Sequence, residues 1–173
     1  MPCHEPILHL VCGKIAAGKS TLCNHLGTVP GTVLIREDYW LTRVFPDTIS
    51  TLEDYVRCSN RIKDALGPHV VDLLGAGLTV VLDFPGNTPN QRAWMRDAID
   101  RSSASHRLHY LDVPDAICKA RLRARNERGN HEFTVSDEQF DTITRYFAPP
   151  SPDEGFDVVV YGEGRAKPSP APD

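Results

Sequence analysis

Apolar runs and helix-period segments alternate along the chain. Runs at 7–12, 32–35, 78–82, 107–111 and 157–161 suit buried strands. Segments near 19–26, 51–66, 68–75, 89–101, 114–128 and 136–147 space their apolar residues for helices. In 51–66, Leu52, Tyr55, Val56, Ile62 and Leu66 fall on one helical face. The alternation predicts an α/β fold with a mainly parallel sheet. Gly27 is placed to end the first helix. Gly67-Pro68 predicts a break between two helices, and Gly75-Ala76-Gly77 an end before the third strand. Pro114 opens the helix that follows Leu111-Asp112-Val113. Residues 162–173 are rich in Gly, Pro and Ser, which predicts one domain over 1–161 and a disordered tail over 162–173.

Composition narrows this picture. The chain has 173 residues, enough for one domain with a real core. Its apolar runs are too short to predict a transmembrane segment. The first residues lack a basic region followed by an apolar one, so no secretory signal is expected. The five cysteines are scattered with no C-x-x-C pair, which suggests reduced thiols and a cytoplasmic setting. The seven histidines show no metal-ligand spacing; His9 and His25 read as structural, and His131 as a weak candidate for ligand contact. A formal net charge of −4 argues against a long nucleic-acid partner but allows a local basic site.

The most specific stretch is 13–20, Gly13-Lys14-Ile15-Ala16-Ala17-Gly18-Lys19-Ser20, with Thr21 following. It fits the phosphate-binding G-x-x-x-x-G-K-[ST] loop and lies between an expected strand and an expected helix. Glycines let the loop curl so that its N–H groups form an anion nest, and the helix adds its positive end. Lys19 is then placed for the β- and γ-phosphates, and the Ser20 hydroxyl for Mg²⁺. ATP and Mg²⁺ are the expected cofactors, with Gly13, Lys14, Ala16, Ala17, Gly18 and Lys19 around the phosphates, joined by Ser20, Thr21 and Arg121.

Ligands of open α/β sheets bind beyond the C-terminal strand ends. Strand two runs into Arg36-Glu37-Asp38-Tyr39-Trp40, where a carboxylate can take a proton from an attacking hydroxyl. Asp38 is the first choice and Glu37 the reserve; the alternative is ordinary surface charge. Strand three ends at Asp83, a position suited to holding Mg²⁺, or else a turn aspartate. Beyond it, Asn87 lies within reach of the cleft and Arg92 is placed to contact an acceptor. Trp94, Met95, Ala98 and Ile99 read as core, Arg96 as solvated, and Tyr146, Phe147 and Phe156 as C-terminal packing. Arg121, Arg125 and Arg128 share a helical face, which suits a catalytic lid over about 118–135 with a hinge or cap at Gly129-Asn130. The plainer reading is that they complement a helix dipole.

In order and spacing these residues resemble phage-type polynucleotide 5′-kinases. They are the loop at 13–20, Arg36-Glu37-Asp38-Tyr39, Leu82-Asp83 with Asn87, Pro89 and Arg92, and Leu111-Asp112-Val113-Pro114 followed by Arg125-Asn126-Glu127-Arg128-Gly129. The wider group is the small P-loop kinases with an AAA-type ATP-binding domain, including chloramphenicol phosphotransferase-like and zeta-toxin-like enzymes. The resemblance spans roughly residues 7–160 and implies a P-loop NTPase fold. Its sheet would have five parallel strands in the order 2-3-1-4-5, with helices on both faces and an arginine-bearing lid. It also implies Lys19 and Ser20 for phosphate and Mg²⁺, Asp38 as base, Asp83 for metal or acceptor, and Arg128 as the lid arginine.

One departure matters. Polynucleotide kinases usually carry an arginine soon after the base, whereas here Trp40-Leu41-Thr42 intervenes before Arg43. Trp40, Leu41, Val44 and Phe45 suggest an apolar acceptor pocket. The expected activity is ATP-dependent phosphoryl transfer to a hydroxyl of a small molecule. The alternatives are a 5′-hydroxyl nucleic-acid end, or an ATPase switch acting through a partner.

Overall fold

The computed structural model describes residues 5–129 and 134–162. His131 and Asn130 lie outside the described residues, as does the expected tail beyond Gly162. Strand β1 (Ile7–Gly13) occupies the middle of a five-stranded sheet of order β2-β3-β1-β4-β5. The other strands are β2 (Thr32–Arg36), β3 (Thr79–Asp83), β4 (Ser105–Asp112) and β5 (Val158–Gly162). All four pairings are parallel. This is the α/β fold and strand order that the resemblance implies. Gly162 closes β5 and is therefore part of the domain rather than of the tail.

Parallel sheets need cover on both faces, and the alternation along β1 shows how it is supplied. Leu8, Leu10 and Cys12 face one side, joined by Val80 and Leu82 of β3 and Leu108 of β4. Helices α3 (Leu52–Gly75) and α4 (Pro89–Ser102) cover them with Ile62, Leu66, Val70, Met95 and Ile99. On the other side Val11 and Val81 meet Cys23 of α1 (Lys19–Leu26). There too Leu111 meets Cys118 and Leu122 of α5 (Asp115–Arg128) and Phe140 of α6 (Asp137–Thr144). Cys12, Cys23, Cys58 and Cys118 are buried free thiols. Burial pushes the Cys12 thiol up to about 11, so it stays neutral.

Three expectations about elements are corrected. Gly67-Pro68 does not break a helix, because α3 runs through it. Proline leaves the carbonyl four residues back without its helical donor. One residue before that carbonyl, Lys63 O accepts the Trp94 indole N–H at 3.2 Å. On the same helix Leu52 and Val56 are exposed rather than core, while Ile62 and Leu66 are buried. A helix missing from the sequence reading, α2 (Glu37–Val44), follows β2 directly. Its buried positions are one leucine, Leu41, and one carboxylate, Glu37, so it shows almost no apolar period.

The C-terminal aromatics divide. Phe147 stacks on Tyr110 with centroids 6.1 Å apart, and Phe156 meets His106 edge-on at 5.9 Å. Tyr146 is exposed and does not pack the core. Arg96 is tied down by Asp100 and by the Gly155 carbonyl at 2.8 Å.

A buried polar chain crosses the sheet. His9 Nδ1 lies 3.0 Å from His109 Nε2, and His109 Nδ1 lies 2.7 Å from the Tyr161 hydroxyl. Burial, assisted by the positive charges of His9 and Arg107, lowers the His109 pKa to about 4. An unfolded histidine titrates near 6.5, so the folded state holds the neutral ring. That contribution is present above about pH 6.5 and is lost as pH falls towards about 4. Urea unfolding at pH 7.5 and pH 5 is expected to differ by roughly 2 kcal/mol more in the parent than in His109→Gln. Equal pH slopes in the two proteins would contradict the assignment.

Candidate active site

The loop from Gly13 to Gly18 turns with Ala16 at φ 61° and Gly18 at φ 106°. Left-handed residues of this kind turn successive N–H groups to one side and form an anion nest. Helix α1 starts at Lys19 with no side-chain cap and no acid in its first turn. By contrast Thr51, Thr88 and Ser136 cap α3, α4 and α6 with their side chains. The α1 amides are thus left for a ligand. Lys19 Nζ donates to the carbonyls of Gly13 at 2.6 Å and Lys14 at 2.8 Å. Burial holds its pKa below the usual lysine value, with Asp83 opposing that shift. A desolvated ammonium resting on neutral carbonyls gains strongly from an incoming anion.

The β3–α4 loop clamps the start of this nest. Asn87 Oδ1 accepts from the Gly13 N–H at 3.0 Å, and Gln91 accepts from the Asn87 N–H at 2.9 Å. Gly86 lies against the end of β1, where a Cβ would stand 2.6 Å from the Val11 carbonyl oxygen. Arg92, expected to contact an acceptor, is instead fully buried beneath this loop. Its Nη1 donates to the carbonyls of Gly86 and Ala148, both at 2.9 Å. Its Nε and Nη2 grip Glu154 at 2.6 and 2.7 Å, which holds that carboxyl below the usual range. With these donors engaged, Arg92 is a structural group.

Glu37 and Asp38 take different roles. Glu37 is only 2% exposed and accepts from the hydroxyls of Tyr55 at 2.7 Å and Ser59 at 2.6 Å. These bonds tie α2 to α3, and Glu37 lines the same cleft as Asp38. Asp38, one residue on, lines a cleft of about 560 Å³ together with Lys14, Lys19, Ser20, Asp83 and Asn87. Trp40, expected at the acceptor, stands outside this lining, 37% exposed and edge-on to Tyr39. Apolar walls come instead from Leu52, Phe84, Ile143, Tyr146 and Phe147. Sequence reasoning missed Leu52, Ile143 and Tyr146.

The arginines of α5 reach the other side of the loop. Arg121 donates to the Ala17 carbonyl at 3.2 Å. Arg121 and Arg125 line a second cleft, of about 740 Å³, with Gly18, Lys19, Ser20 and Thr21. Arg125 Nε is buried without a hydrogen-bond partner among the described residues. Arg128 ends α5 at an exposed position and lines neither cleft. Lys119–Asp141 at 2.7 Å and Arg123–Asp137 tie α5 to α6. Lys14 is paired to Asp115 and to the Val113 carbonyl, which fastens the loop to the start of α5.

This donor set fits a nucleoside triphosphate. The nest, the desolvated Lys19 and the buried Arg125 Nε, which has no hydrogen-bond partner among the described residues, each suit an anion of the kind a polyphosphate carries. Ser20 and Asp83 offer hard oxygens suited to Mg²⁺ in the same cleft. Among the described residues no group of three or more His, Cys, Asp or Glu forms an all-protein metal site. No helix of the described residues is long and apolar enough to cross a membrane.

A family described as an AAA domain matches residues 8–150. No curated protein matches the chain. A protein from Chloroflexus aurantiacus, provisionally described as a kinase, is similar in structure with a TM-score of 0.70 and 18% identity, over 92% of this chain and 86% of that one. The Mycobacterium tuberculosis APS kinase CysC, solved with AMPPNP and APS, aligns with a TM-score of 0.61 and 16% identity over 94% and 91%. A gluconokinase from Sinorhizobium meliloti aligns at 0.57 and 13% identity over 94% and 84%. At these identities the structural likeness carries the fold.

The Asn87 clamp has a measurable consequence. Asn87→Ala removes the acceptor of the Gly13 N–H and is expected to weaken ATP binding about fivefold, the equivalent of one ordinary hydrogen bond of about 1 kcal/mol. Calorimetric titration with ATP reads this directly, and an unchanged affinity would show that the clamp does not shape the nest.

Proposed function

We propose, of a chain that belongs to the AAA-domain family over residues 8–150, that it transfers the γ-phosphoryl group of Mg·ATP to a hydroxyl of a small molecule. One observation carries this reading: Lys19 and Ser20 of the phosphate loop share a cleft with Asp38, a carboxylate on the opposite element. A phosphate site alone would serve a switch or a motor equally well. A carboxylate in the same cleft supplies what a kinase needs and a switch does not, a proton acceptor beside the γ-phosphate. The similar structures of an APS kinase and a gluconokinase support a small acceptor.

The residues divide the work as follows. The loop amides and Lys19 hold the β- and γ-phosphate oxygens. Ser20 and Asp83 would hold magnesium, which would supply charge neutralisation for the phosphates. Asp38 accepts the proton of the acceptor hydroxyl as its oxygen bonds to the γ-phosphorus. The bond from that phosphorus to the β–γ bridging oxygen breaks, and ADP leaves. Arg121 and Arg125 offset the charge spread over the transferring group. Arg128, the lid arginine by resemblance, would have to move to join them. Glu37 fixes the first turn of α2 and so aims Asp38. Catalysis of this kind is mostly positioning and electrostatics.

Replacement of the base separates transfer from binding. Asp38→Asn is expected to keep ATP affinity within about threefold and to lower acceptor phosphorylation about 10²–10⁴-fold. Labelled ATP with a panel of hydroxylated acceptors measures it. Undiminished transfer in Asp38→Asn would remove Asp38 as the base.

A further inference from the structure

Leu52 and Tyr146 are the two most exposed large hydrophobic side chains among the described residues, at 78% and 74%. Both stand at the cleft that holds Asp38, with Ile143 as a third exposed apolar group. Leu52 is the first residue of α3, Ile143 lies in the last turn of α6 and Tyr146 in the turn just beyond it, far from Leu52 in sequence. Apolar surface left in water is unfavourable, and its collection around a concave site marks a surface kept for a ligand.

The charges around Asp38 point the same way. Among the described residues the cations lining this cleft are Lys14 and Lys19. Lys14 is paired with Asp115, and Lys19 belongs to the phosphate loop. The acids are Glu37, Asp38 and Asp83. A neighbouring cleft of about 620 Å³ shares Asp38 and Tyr55, is walled by Leu41, Phe45 and Ile49, and adds Asp47 but no cation. Arg92 is consumed beneath the β3–α4 loop, and Arg43 lies over the Tyr39 ring at 5.2 Å, outside both linings. An acceptor bearing phosphate or carboxylate would therefore meet acids and the γ-phosphate with no free counter-charge.

We propose that the acceptor is an uncharged alcohol with an aromatic or alicyclic body. The body lies against Leu52, Ile143 and Tyr146, and the hydroxyl is presented to Asp38. Nucleic-acid ends and sugar phosphates would meet three acids there, and among the described residues the lining cations are Lys14, paired with Asp115, and Lys19 of the phosphate loop. A cleft of about 560 Å³ suits a small molecule of this kind. The inference rests on the phosphotransferase reading and narrows its substrate class.

The test uses the full chain with AMPPNP and magnesium, and ligand-observed NMR. The probes are 1-phenylethane-1,2-diol, cyclohexylmethanol, the 4-carboxy and 4-phosphonooxy derivatives of the diol, and a 5′-hydroxyl trinucleotide. The neutral members are expected to bind at least tenfold more tightly than the anionic ones. Leu52→Ala/Tyr146→Ala, at positions exposed enough to leave the fold intact, is expected to weaken neutral binding at least fivefold. Leu52→Lys is expected to narrow the gap between neutral and anionic members. Anionic members binding as well as neutral ones would overturn the proposal, as would absence of neutral binding or indifference to the double variant. The same samples given ATP read the function separately. Transfer to the trinucleotide or the anionic diols would keep the phosphotransferase and overturn this substrate class. Selective neutral binding without transfer would support the cleft preference and count against the phosphotransferase.

Discussion

A fully buried guanidinium holds the working end of this molecule together. Arg92 is 0% exposed, and a buried charge of this kind is costly unless every donor is met. Here Glu154 takes two of its N–H groups, and the carbonyls of Gly86 and Ala148 take others. These partners belong to two separate connections, the loop after β3 and the segment leading to β5. The arginine therefore fixes the β3–α4 loop against the sheet, and Ala148 adds a backbone hydrogen bond to the Asn87 carbonyl at 2.9 Å. Only then can the Asn87 side chain reach the Gly13 N–H and set the start of the phosphate loop. The absence of a side chain at Gly86 is part of the same constraint, since the loop crosses so close to the Val11 carbonyl.

A second constraint aims the acceptor side. Successive helical residues point about 100° apart, so the first turn of α2 sends Glu37 inward and Asp38 towards the clefts. The two hydroxyls from α3 that bind Glu37 make the inward choice secure. One buried carboxylate thus positions its neighbour on the first turn of α2. The phosphate loop and Asp38 meet across a single cleft because β1 and β2 flank β3 and all three end on the same side.

Much of the fold was legible in the sequence, since buried parallel strands read as apolar runs and the phosphate loop has a fixed spacing. The strand order came with the resemblance that residues 13–20, Asp38 and Asp83 carry. What stayed hidden depends on partners distant in sequence. Arg92 reads as an acceptor contact until Glu154, 62 residues away, is folded against it. Glu37 and Asp38 read alike in the sequence, and the Tyr55 and Ser59 hydroxyls on Glu37 are what set their surroundings apart. Pro68 reads as a breaker, yet α3 runs through it, packed against α4 by contacts such as Trp94 on the Lys63 carbonyl. Trp40 attracted attention as an apolar residue beside the base, yet the apolar wall comes from Leu52, Ile143 and Tyr146.

One geometry is central to the proposed reaction: a γ-phosphate delivered from the Lys19 side of the cleft to a hydroxyl held at Asp38. A structure of the full chain with AMPPNP and magnesium tests it most directly. Lys19 Nζ should leave the Gly13 and Lys14 carbonyls for the phosphate oxygens, and Arg125 Nε should gain a partner. The γ-phosphate should then face Asp38 with room for an acceptor oxygen in line. A nucleotide whose γ-phosphate points away from Asp38, or a Lys19 that keeps its carbonyl partners beside bound AMPPNP, would contradict the account.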